Sequence, residues 1–152
     1  MSSTVKRSHA HHGAAFVEIL QNCPIYNDGI FDQVKDKKIA ADFRVEVEQG
    51  EPLLFGKDKE KAIVLSRESL RLEVVAAAGN EDKILVHDEH NRVLAQLLAA
   101  MGGEGFPIAV GVLFSDSKST FTEETSAHLE SVRKTGAARK DLLQSGHTWT
   151  SE

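Results

Sequence analysis

The amino-acid sequence predicts an α/β protein in which short strands alternate with amphipathic helices. Three observations support this class. Apolar residues recur at helical spacing between Val93 and Met101. Polar and apolar residues alternate from Arg44 to Glu48, which is the period of a half-buried strand. Hydrophobic residues make up 41% and charged residues 27% of the 152 positions, as in a soluble globular domain.

The first predicted elements are the end of a helix and a buried strand. Val5 to His12 is predicted to form the last turns of a helix, and Gly13 is suited to close it. His11 and His12 would then lie near the negative end of the helix dipole. Ala15 to Leu20 is a short apolar run with a single charge, which predicts a strand buried in a sheet.

Turns and a short helix are predicted next. Pro24 and the sequence Asn27-Asp28-Gly29 indicate turns between Gln21 and Gly29. Ile30 to Ala41 has apolar residues at the spacing of a short helix.

Two pairs of strands are predicted in the middle of the chain. The alternating run from Arg44 to Glu48, the turn at Gln49-Gly50 and the apolar run from Pro52 to Phe55 together predict a hairpin. Ile63 to Leu65 and Leu70 to Val75 predict two further strands around a polar turn.

Strand and helix alternate more regularly in the second half. Ile84 to Val86 predicts a short buried strand, and Asp88 is placed to cap the helix that follows. The glycines Gly102 and Gly103 are expected to end this helix. Its apolar face is predicted to consist of Val93, Leu94, Leu97, Leu98 and Met101.

The last predicted elements are a strand from Ile108 to Phe114 and a polar helix. Thr120 and Glu123 have the spacing of a capping box, which marks the start of the helix. The helix is expected to run to about Lys134, to stop at Gly136 and to resume through Leu143.

Composition excludes several classes of function. The formal net charge is −5 and no basic face stands out, so neither nucleic acid nor an anionic membrane is an expected partner. The longest apolar runs, such as Phe106 to Phe114, are too short to span a bilayer. Met1 to Arg7 lacks the apolar core of a secretory signal. The single cysteine, Cys23, rules out an internal disulfide framework and favours a reducing, cytoplasmic location.

Cys23 is the strongest candidate for a functional residue. It follows the predicted strand and precedes Pro24, at the kind of strand end where α/β proteins place functional groups. Its thiolate could ligate a metal or an iron–sulfur cluster, or act as a nucleophile. The alternative is an inert, half-buried small side chain, which is a common role of free cysteine.

Two histidine-containing segments offer weaker candidates. His87-Asp88-Glu89-His90 could hold a metal, which would make the chain a small metalloenzyme, but the two histidines lack the i, i+4 spacing of zinc peptidases. A capped junction between a strand and a helix explains this segment equally. The histidines between His9 and His12 could also bind a transition metal, or could simply lie at the end of a helix.

The sequence from His11 to Phe31 resembles the beta subunit of 2-oxoacid:ferredoxin oxidoreductases of the 2-oxoglutarate type. The resemblance rests on Phe-Val-Glu-Ile, Gln-Asn-Cys-Pro and Tyr-Asn-Asp-Gly within this run. Weaker matches follow in order along the chain at Gly50-Glu-Pro52, Leu54 to Asp58, Leu85 to His90, Pro107-Ile108, Gly111-Val112 and Gly146 to Thr150.

The resemblance implies a fold, cofactors and partners. It implies that residues 1–30 are the end of a domain that binds thiamine diphosphate, and that residues 31–152 form a C-terminal extension that contains a β-hairpin. Such enzymes use thiamine diphosphate with Mg²⁺ and a 4Fe-4S cluster, and they oxidatively decarboxylate a 2-oxoacid to an acyl-CoA and pass the electrons to ferredoxin. The beta subunit works with an alpha subunit, and Cys23 matches the position of a fourth cluster ligand.

The chain also departs from the pattern of such subunits. It contains neither the Gly-Asp-Gly motif that holds the diphosphate and Mg²⁺ nor the other three cysteines. We therefore expect that the chain needs an N-terminal half of the subunit and is not catalytic alone. Without that half, the predicted strand from Ala15 to Leu20 would expose apolar surface and promote self-association. The alternative is a non-catalytic α/β interaction domain derived from the same subunit.

Overall fold

A computed structural model describes residues 2–135 and Gly146, and it confirms the predicted α/β class. The chain divides into two compact units. Unit 1 contains residues 1–10 and 15–116 and includes both sheets. Unit 2 contains residues 11–14 and the chain from residue 117 onwards. The division into residues 1–30 and 31–152 that the resemblance implies stays a prediction.

Helix α1 spans Ser2–Ala10, which confirms the predicted helix but ends before the predicted His11 and His12. Gly13 follows with a φ of 126°. The strand predicted from Ala15 to Leu20 is wrong for this chain, because these residues form neither helix nor strand. No other segment of the described chain pairs with their backbone, and an unpaired strand cannot form a sheet. The predicted turns between Gln21 and Gly29 are confirmed.

The single helix predicted from Ile30 to Ala41 is instead two short helices. They are α2, Asp32–Lys35, and α3, Ala40–Phe43. The break lies at Asp36, whose backbone is extended and whose carboxylate accepts a hydrogen bond from Lys38 N at 2.9 Å. This local side-chain hydrogen bond competes with the helix and explains the interruption.

Strands β2, Leu54–Phe55, β3, Lys61–Leu65, and β4, Leu72–Ala76, form an antiparallel sheet in the order β2-β3-β4. The predicted pair of strands around a polar turn is therefore confirmed as the β3–β4 hairpin. Its register places Ile63 opposite Val74 and Leu65 opposite Leu72.

The hairpin predicted from Arg44 to Phe55 is wrong. Strand β1, Arg44–Val47, pairs in parallel with β5, Ile108–Gly111. Residues 50–53 pair with a different segment, since Gly50 N donates to His87 O at 2.9 Å and Leu53 N donates to Leu85 O at 2.8 Å. This non-local pairing uses the backbone groups that a local hairpin would need.

The predicted strand from Ile84 to Val86 is present only as isolated bridges, from Ile84 to Val64 and from Val86 to Pro52. A 3-10 helix, Glu81–Lys83, precedes it. Val86 is 54% exposed, so the segment is not fully buried as predicted. It leads directly into the His87 to His90 segment.

Helix α4, Arg92–Ala99, confirms the predicted helix but differs in its cap and in one face position. Asn91 caps it, with its side-chain oxygen accepting from Leu94 N at 3.1 Å, while the predicted cap, Asp88, accepts from His90 N in the preceding turn. Val93, predicted on the apolar face, is 65% exposed, because helix periodicity turns it away from Leu94 and Leu98.

The core of unit 1 lies between the two sheets and α4. Alternate residues of β1, Val45 and Val47, are buried there, as the predicted period of two requires. The buried cluster consists of Val45, Val47, Leu53, Phe55, Ile63, Leu72, Leu94 and Leu98.

Unit 2 contains helix α5, Phe121–Thr135, which confirms the predicted polar helix. The capping box is formed: Thr120 N donates to the Glu123 carboxylate at 2.8 Å, and Glu123 N donates to Thr120 Oγ1 at 3.3 Å. His12 Nε2 lies 3.0 Å from the same carboxylate.

The predicted continuation through Leu143 and the matched residues 147–150 lie outside the described residues. None of the described helices is long and apolar enough to cross a membrane.

Candidate functional site

Cys23 lies in a tight exposed turn of unit 1. Asn27 N donates to Cys23 O at 2.9 Å, and Cys23 N donates to Asn27 O at 3.4 Å. These two bonds close a loop over Pro24, Ile25 and Tyr26. The thiol is therefore presented on a closed, hydrogen-bonded turn.

Asn22 fixes the base of this turn. Its amide nitrogen donates to Asp32 Oδ1 at 2.7 Å, and its amide oxygen accepts from Phe31 N at 2.9 Å. The turn is thus tied to the start of α2, ten residues further along the chain. Gly29, with a φ of 77°, allows the chain to reverse between the two.

Backbone N–H groups lower the pKa of the Cys23 thiol. The largest contribution is a hydrogen bond from the backbone of Tyr26, followed by one from Ile25. Both favour the thiolate, which is the form that binds metals and attacks electrophiles. Cys23 is exposed, so it is not half-buried as the structural alternative expected.

The turn fits one ligand of an iron–sulfur cluster. Cysteine thiolates hold such clusters, and N–H groups directed at the sulfur tune the potential. One thiolate cannot complete a four-cysteine site, and Cys23 is the single cysteine of the sequence. Within residues 2–135 and Gly146, no group of three or more His, Cys, Asp or Glu side chains is placed to hold a metal ion.

The described residues do not fit the diphosphate and Mg²⁺ of thiamine diphosphate. Mg²⁺ is held by oxygen ligands in near-octahedral geometry, with carboxylates and phosphates among them. The absence of an acidic cluster from the described part of the chain agrees with the lack of a Gly-Asp-Gly motif in the sequence.

The two histidines of the His87 to His90 segment contact different carbonyl groups. His87 is 1% exposed, and its Nε2 donates to Val112 O at 2.9 Å. His90 Nδ1 donates to Ser115 O at 2.7 Å. The segment thereby links residues 112–115 to the start of α4 through two hydrogen bonds. The structural alternative weighed in the sequence was a capped junction between a strand and a helix, and it did not include these contacts. His87 Nδ1 is buried and has no hydrogen-bond partner among the described residues.

Glu89 forms an ion pair that the sequence does not reveal. Its carboxylate is buried and accepts two hydrogen bonds from Arg7 of α1, at 2.7 and 2.9 Å. The hydrogen bond from Arg7 is the main reason why the pKa of Glu89 is lowered. The two residues are 82 positions apart, and no local pattern indicates such a pairing.

An open apolar groove of about 410 Å³ lies beside α4 in unit 1. Residues of the helix and of the segment after β5 form its walls, and the Arg92 guanidinium stacks 5.4 Å from the centre of the Phe114 ring. Sequence reasoning did not predict the groove, because its walls come from segments that are distant in the chain. The lining residues are Arg92, Ala95, Gln96, Ala99, Leu113 and Phe114.

Comparison with known proteins identifies a relative over almost the whole chain. The chain is 32% identical over 158 aligned positions to 2-oxoglutarate oxidoreductase subunit KorB of Mycobacterium tuberculosis. The alignment covers 99% of this chain but 42% of the relative. No protein-family profile matches the chain, and no solved structure matches it significantly. The match confirms the predicted resemblance to the beta subunit of 2-oxoglutarate oxidoreductases, and its extent accords with a part of that subunit.

Proposed function

We propose that this chain forms the C-terminal part of the beta subunit of a 2-oxoacid:ferredoxin oxidoreductase, with 2-oxoglutarate as the preferred 2-oxoacid. The observation that carries the proposal is the similarity over 99% of the chain to a 2-oxoglutarate oxidoreductase subunit. The reaction would be oxidative decarboxylation of the 2-oxoacid to an acyl-CoA, with the electrons passed to ferredoxin.

In this proposal Cys23 supplies one thiolate to a 4Fe-4S cluster. Its exposure, its lowered thiol pKa and its hydrogen-bonded turn support this role. The remaining three thiolates come from the part of the subunit that this chain does not match, either in the same polypeptide or in a second one. A cluster shared in this way would join the two parts of the subunit covalently through iron.

Thiamine diphosphate would supply the electron sink for decarboxylation. We assign this chain no catalytic residue, because its sequence contains no Gly-Asp-Gly motif. Its contribution would be to complete the subunit, to form part of the contact with the alpha subunit, and to ligate the cluster that serves ferredoxin. A reducing cytoplasm belongs to the proposal, because thiolate ligands must escape oxidation before the cluster is built.

Visible absorption tests the cluster assignment. This chain would be co-expressed with the alpha subunit and with the part of the mycobacterial beta subunit outside the aligned region, and then purified without oxygen. We expect an iron–sulfur band that Cys23→Ser weakens or abolishes. Tyr26→Phe is the matched control, because it leaves the backbone donor and the thiol in place. An unchanged band in Cys23→Ser would refute the ligand assignment.

The same experiment distinguishes the cluster-ligand role from the alternative function, a non-catalytic interaction domain. An interaction domain without chemistry would assemble with the other chains but leave the band unchanged in both variants. The exposed apolar residues beside Cys23, including Phe16 and Tyr26, are the observation that favours an interaction role. An assembled complex that has no dependence on Cys23 would support this second candidate.

A further inference from the structure

Strand β4 is an edge of the antiparallel sheet, since it stands last in the order β2-β3-β4. Edge strands are commonly protected against pairing with another chain by lysine, proline or a β-bulge. β4 contains neither lysine nor proline, and its register with β3 is continuous. Its one charged residue is Glu73. The edge therefore lacks these three protections.

The hydrogen bonds at the two ends of β4 show which of its backbone groups face away from β3. Ser66 N donates to Arg71 O at 2.9 Å, and Ala77 N donates to Glu60 O at 2.8 Å. Hydrogen-bonded pairs occur at every second position of an antiparallel ladder. The odd-numbered residues of β4 therefore bond to β3, and the N–H and C=O groups of the even-numbered residues point outwards.

The outward groups are open at the start of β4 and occupied at its end. In the part of the chain that the structure describes, the outward N–H and C=O groups of Leu72 and Val74 have no hydrogen-bond partner. Ala76 O instead accepts a hydrogen bond from Asn80 Nδ2 at 3.0 Å. The surface free for a further strand is thus centred near Leu72.

Two opposite charges flank Leu72 on the exposed face of this edge. Arg71 and Glu73 are both exposed, and as residues i and i+2 of an extended chain they lie on the same face. Among the described residues, neither side chain forms an ion pair or a hydrogen bond. Leu70, which is 70% exposed, precedes them. A positive and a negative charge around a central residue form a self-complementary pattern.

We infer that β4 is an interaction surface for a second copy of this chain, which adds its own β4 antiparallel to the first with the two-fold axis at Leu72. The same patch is then used by both copies, as in an isologous dimer. The Leu72 residues of the two copies exchange two backbone hydrogen bonds. Arg71 of each copy lies opposite Glu73 of the other, at the non-hydrogen-bonded positions where Cα atoms are about 4.5 Å apart.

Neighbouring registers are less favourable. An axis at Glu73 would place the two Glu73 carboxylates directly opposite each other, and like charges in this position are destabilising. An axis at Val74 would place Glu73 opposite Val75 and would require the Ala76 carbonyl that Asn80 already bonds. The register centred on Leu72 avoids both problems and places the exposed Leu70 opposite Val74.

Sedimentation velocity of the full chain over a range of concentrations tests the charge pattern. We expect a reversible monomer–dimer equilibrium that Arg71→Glu or Glu73→Arg weakens roughly tenfold or more, because each change turns two attractive pairs into repulsive ones. The double variant Arg71→Glu/Glu73→Arg should restore the dimer. Arg67→Glu is the matched control, because Arg67 is an exposed arginine of the preceding turn that lies outside β4, and it should leave the dimer in place.

Mixing the single variants gives a second readout of the register. Arg71→Glu and Glu73→Arg should each be monomeric alone and should form a heterodimer together, because every opposed pair then contains one arginine and one glutamate. Val74→Pro should also weaken the dimer, since it removes an outward N–H without removing a bond to β3, whereas Val74→Ala keeps this donor. Circular dichroism should show that the charge variants remain folded.

Three results would overturn the inference. The first is an unsubstituted chain that stays monomeric at every concentration. The second is a dimer that persists unchanged in the single charge variants, which would place the contact on another surface. The third is a double variant that stays monomeric while the single variants are folded, which would show that Arg71 and Glu73 do not face each other.

Discussion

At the scale of single residues, the chemistry proposed for this chain depends on one sulfur atom. The backbone N–H groups of Tyr26 and Ile25 stabilise the thiolate of Cys23, while the exposed position leaves it accessible. Neither property is visible in a sequence pattern, because both depend on how the turn closes between Cys23 and Asn27. The motif singled out the residue, and the turn accounts for the lowered pKa of its thiol.

The first prediction concerns the rate at which Cys23 reacts with iodoacetamide. The rate should rise with pH and reach half of its maximum at a lower pH in the folded chain than in the chain unfolded in urea. The physical reason is the lowered pKa of the thiol, since the thiolate is the nucleophile. Equal midpoints in the folded and unfolded chains would contradict the proposed hydrogen bonds to sulfur.

The second prediction concerns the buried carboxylate of Glu89. Arg7→Ala should lower the free energy of unfolding at pH 7 by about 1–3 kcal/mol, because it leaves this carboxylate without its charged donor. The pKa of Glu89 is lowered in the folded chain, so the loss should be present at neutral pH and should shrink as pH falls below the pKa of an unfolded glutamate.

Urea unfolding at several pH values measures this effect. Arg44→Ala is the matched control, because Arg44 pairs with Glu46 at 3.2 Å on an exposed surface and such pairs contribute little. Equal losses in Arg7→Ala and Arg44→Ala would show that the pair with Glu89 has no special importance.

At the scale of the elements, the sequence predicted features that neighbouring residues determine, but it did not predict which distant strands pair. The capping box of α5 and the β3–β4 hairpin were predicted correctly, since both are set by residues close in sequence. The hairpin expected from Arg44 to Phe55 was wrong, because β1 finds its partner in β5, more than sixty residues away. Periodicity identifies a strand and its buried face but does not identify its neighbour.

The third prediction concerns the start of α5. The pKa of Glu123 is lowered to about 2, chiefly by the hydrogen bond from the backbone of Thr120 and then by His12. Because the folded pKa is depressed, this contribution to helix stability should be complete above the unfolded pKa and should be lost as pH falls towards about 2.

Helicity measured by circular dichroism between pH 7 and pH 2 tests this dependence. Glu123→Gln should remove the part of the transition that belongs to the capping box, and Thr120→Ala should diminish it. Glu130→Gln, a substitution further along the same helix, is the control and should leave the transition in place. A transition that is unchanged in Glu123→Gln would contradict the assignment.

The fourth prediction concerns the pairing of β1 with β5. Gly111 has a φ of 135°, and a Cβ at this position would clash with the carbonyl oxygen of Val47. Gly111→Ala should therefore destabilise the chain by about 2 kcal/mol or more, through backbone strain and this contact. Thermal unfolding measures the change. Gly102→Ala is the control because a Cβ there meets nothing within 4 Å, and equal melting temperatures would contradict the prediction.

At the scale of the whole molecule, unit 1 has a buried apolar core, but the apolar residues Phe16 and Ile19 are exposed. The sequence predicted the α/β class and the core face of β1, whereas the strand predicted from Ala15 to Leu20 is wrong. It is no strand here because strand formation needs a neighbour, and no described segment supplies one. The proposal that the chain is one part of a larger subunit rests on the match, which covers 42% of the relative.

The fifth prediction tests this view directly. A chimera would replace the aligned region of the mycobacterial beta subunit with this chain, and it would be co-expressed with the alpha subunit. The measurement is reduction of methyl viologen that depends on 2-oxoglutarate and coenzyme A. We predict reduction by the chimera, a loss of roughly tenfold or more in Cys23→Ser, and retention in Tyr26→Phe. An assembled chimera that reduces no viologen, or one that works equally well without Cys23, would contradict the account.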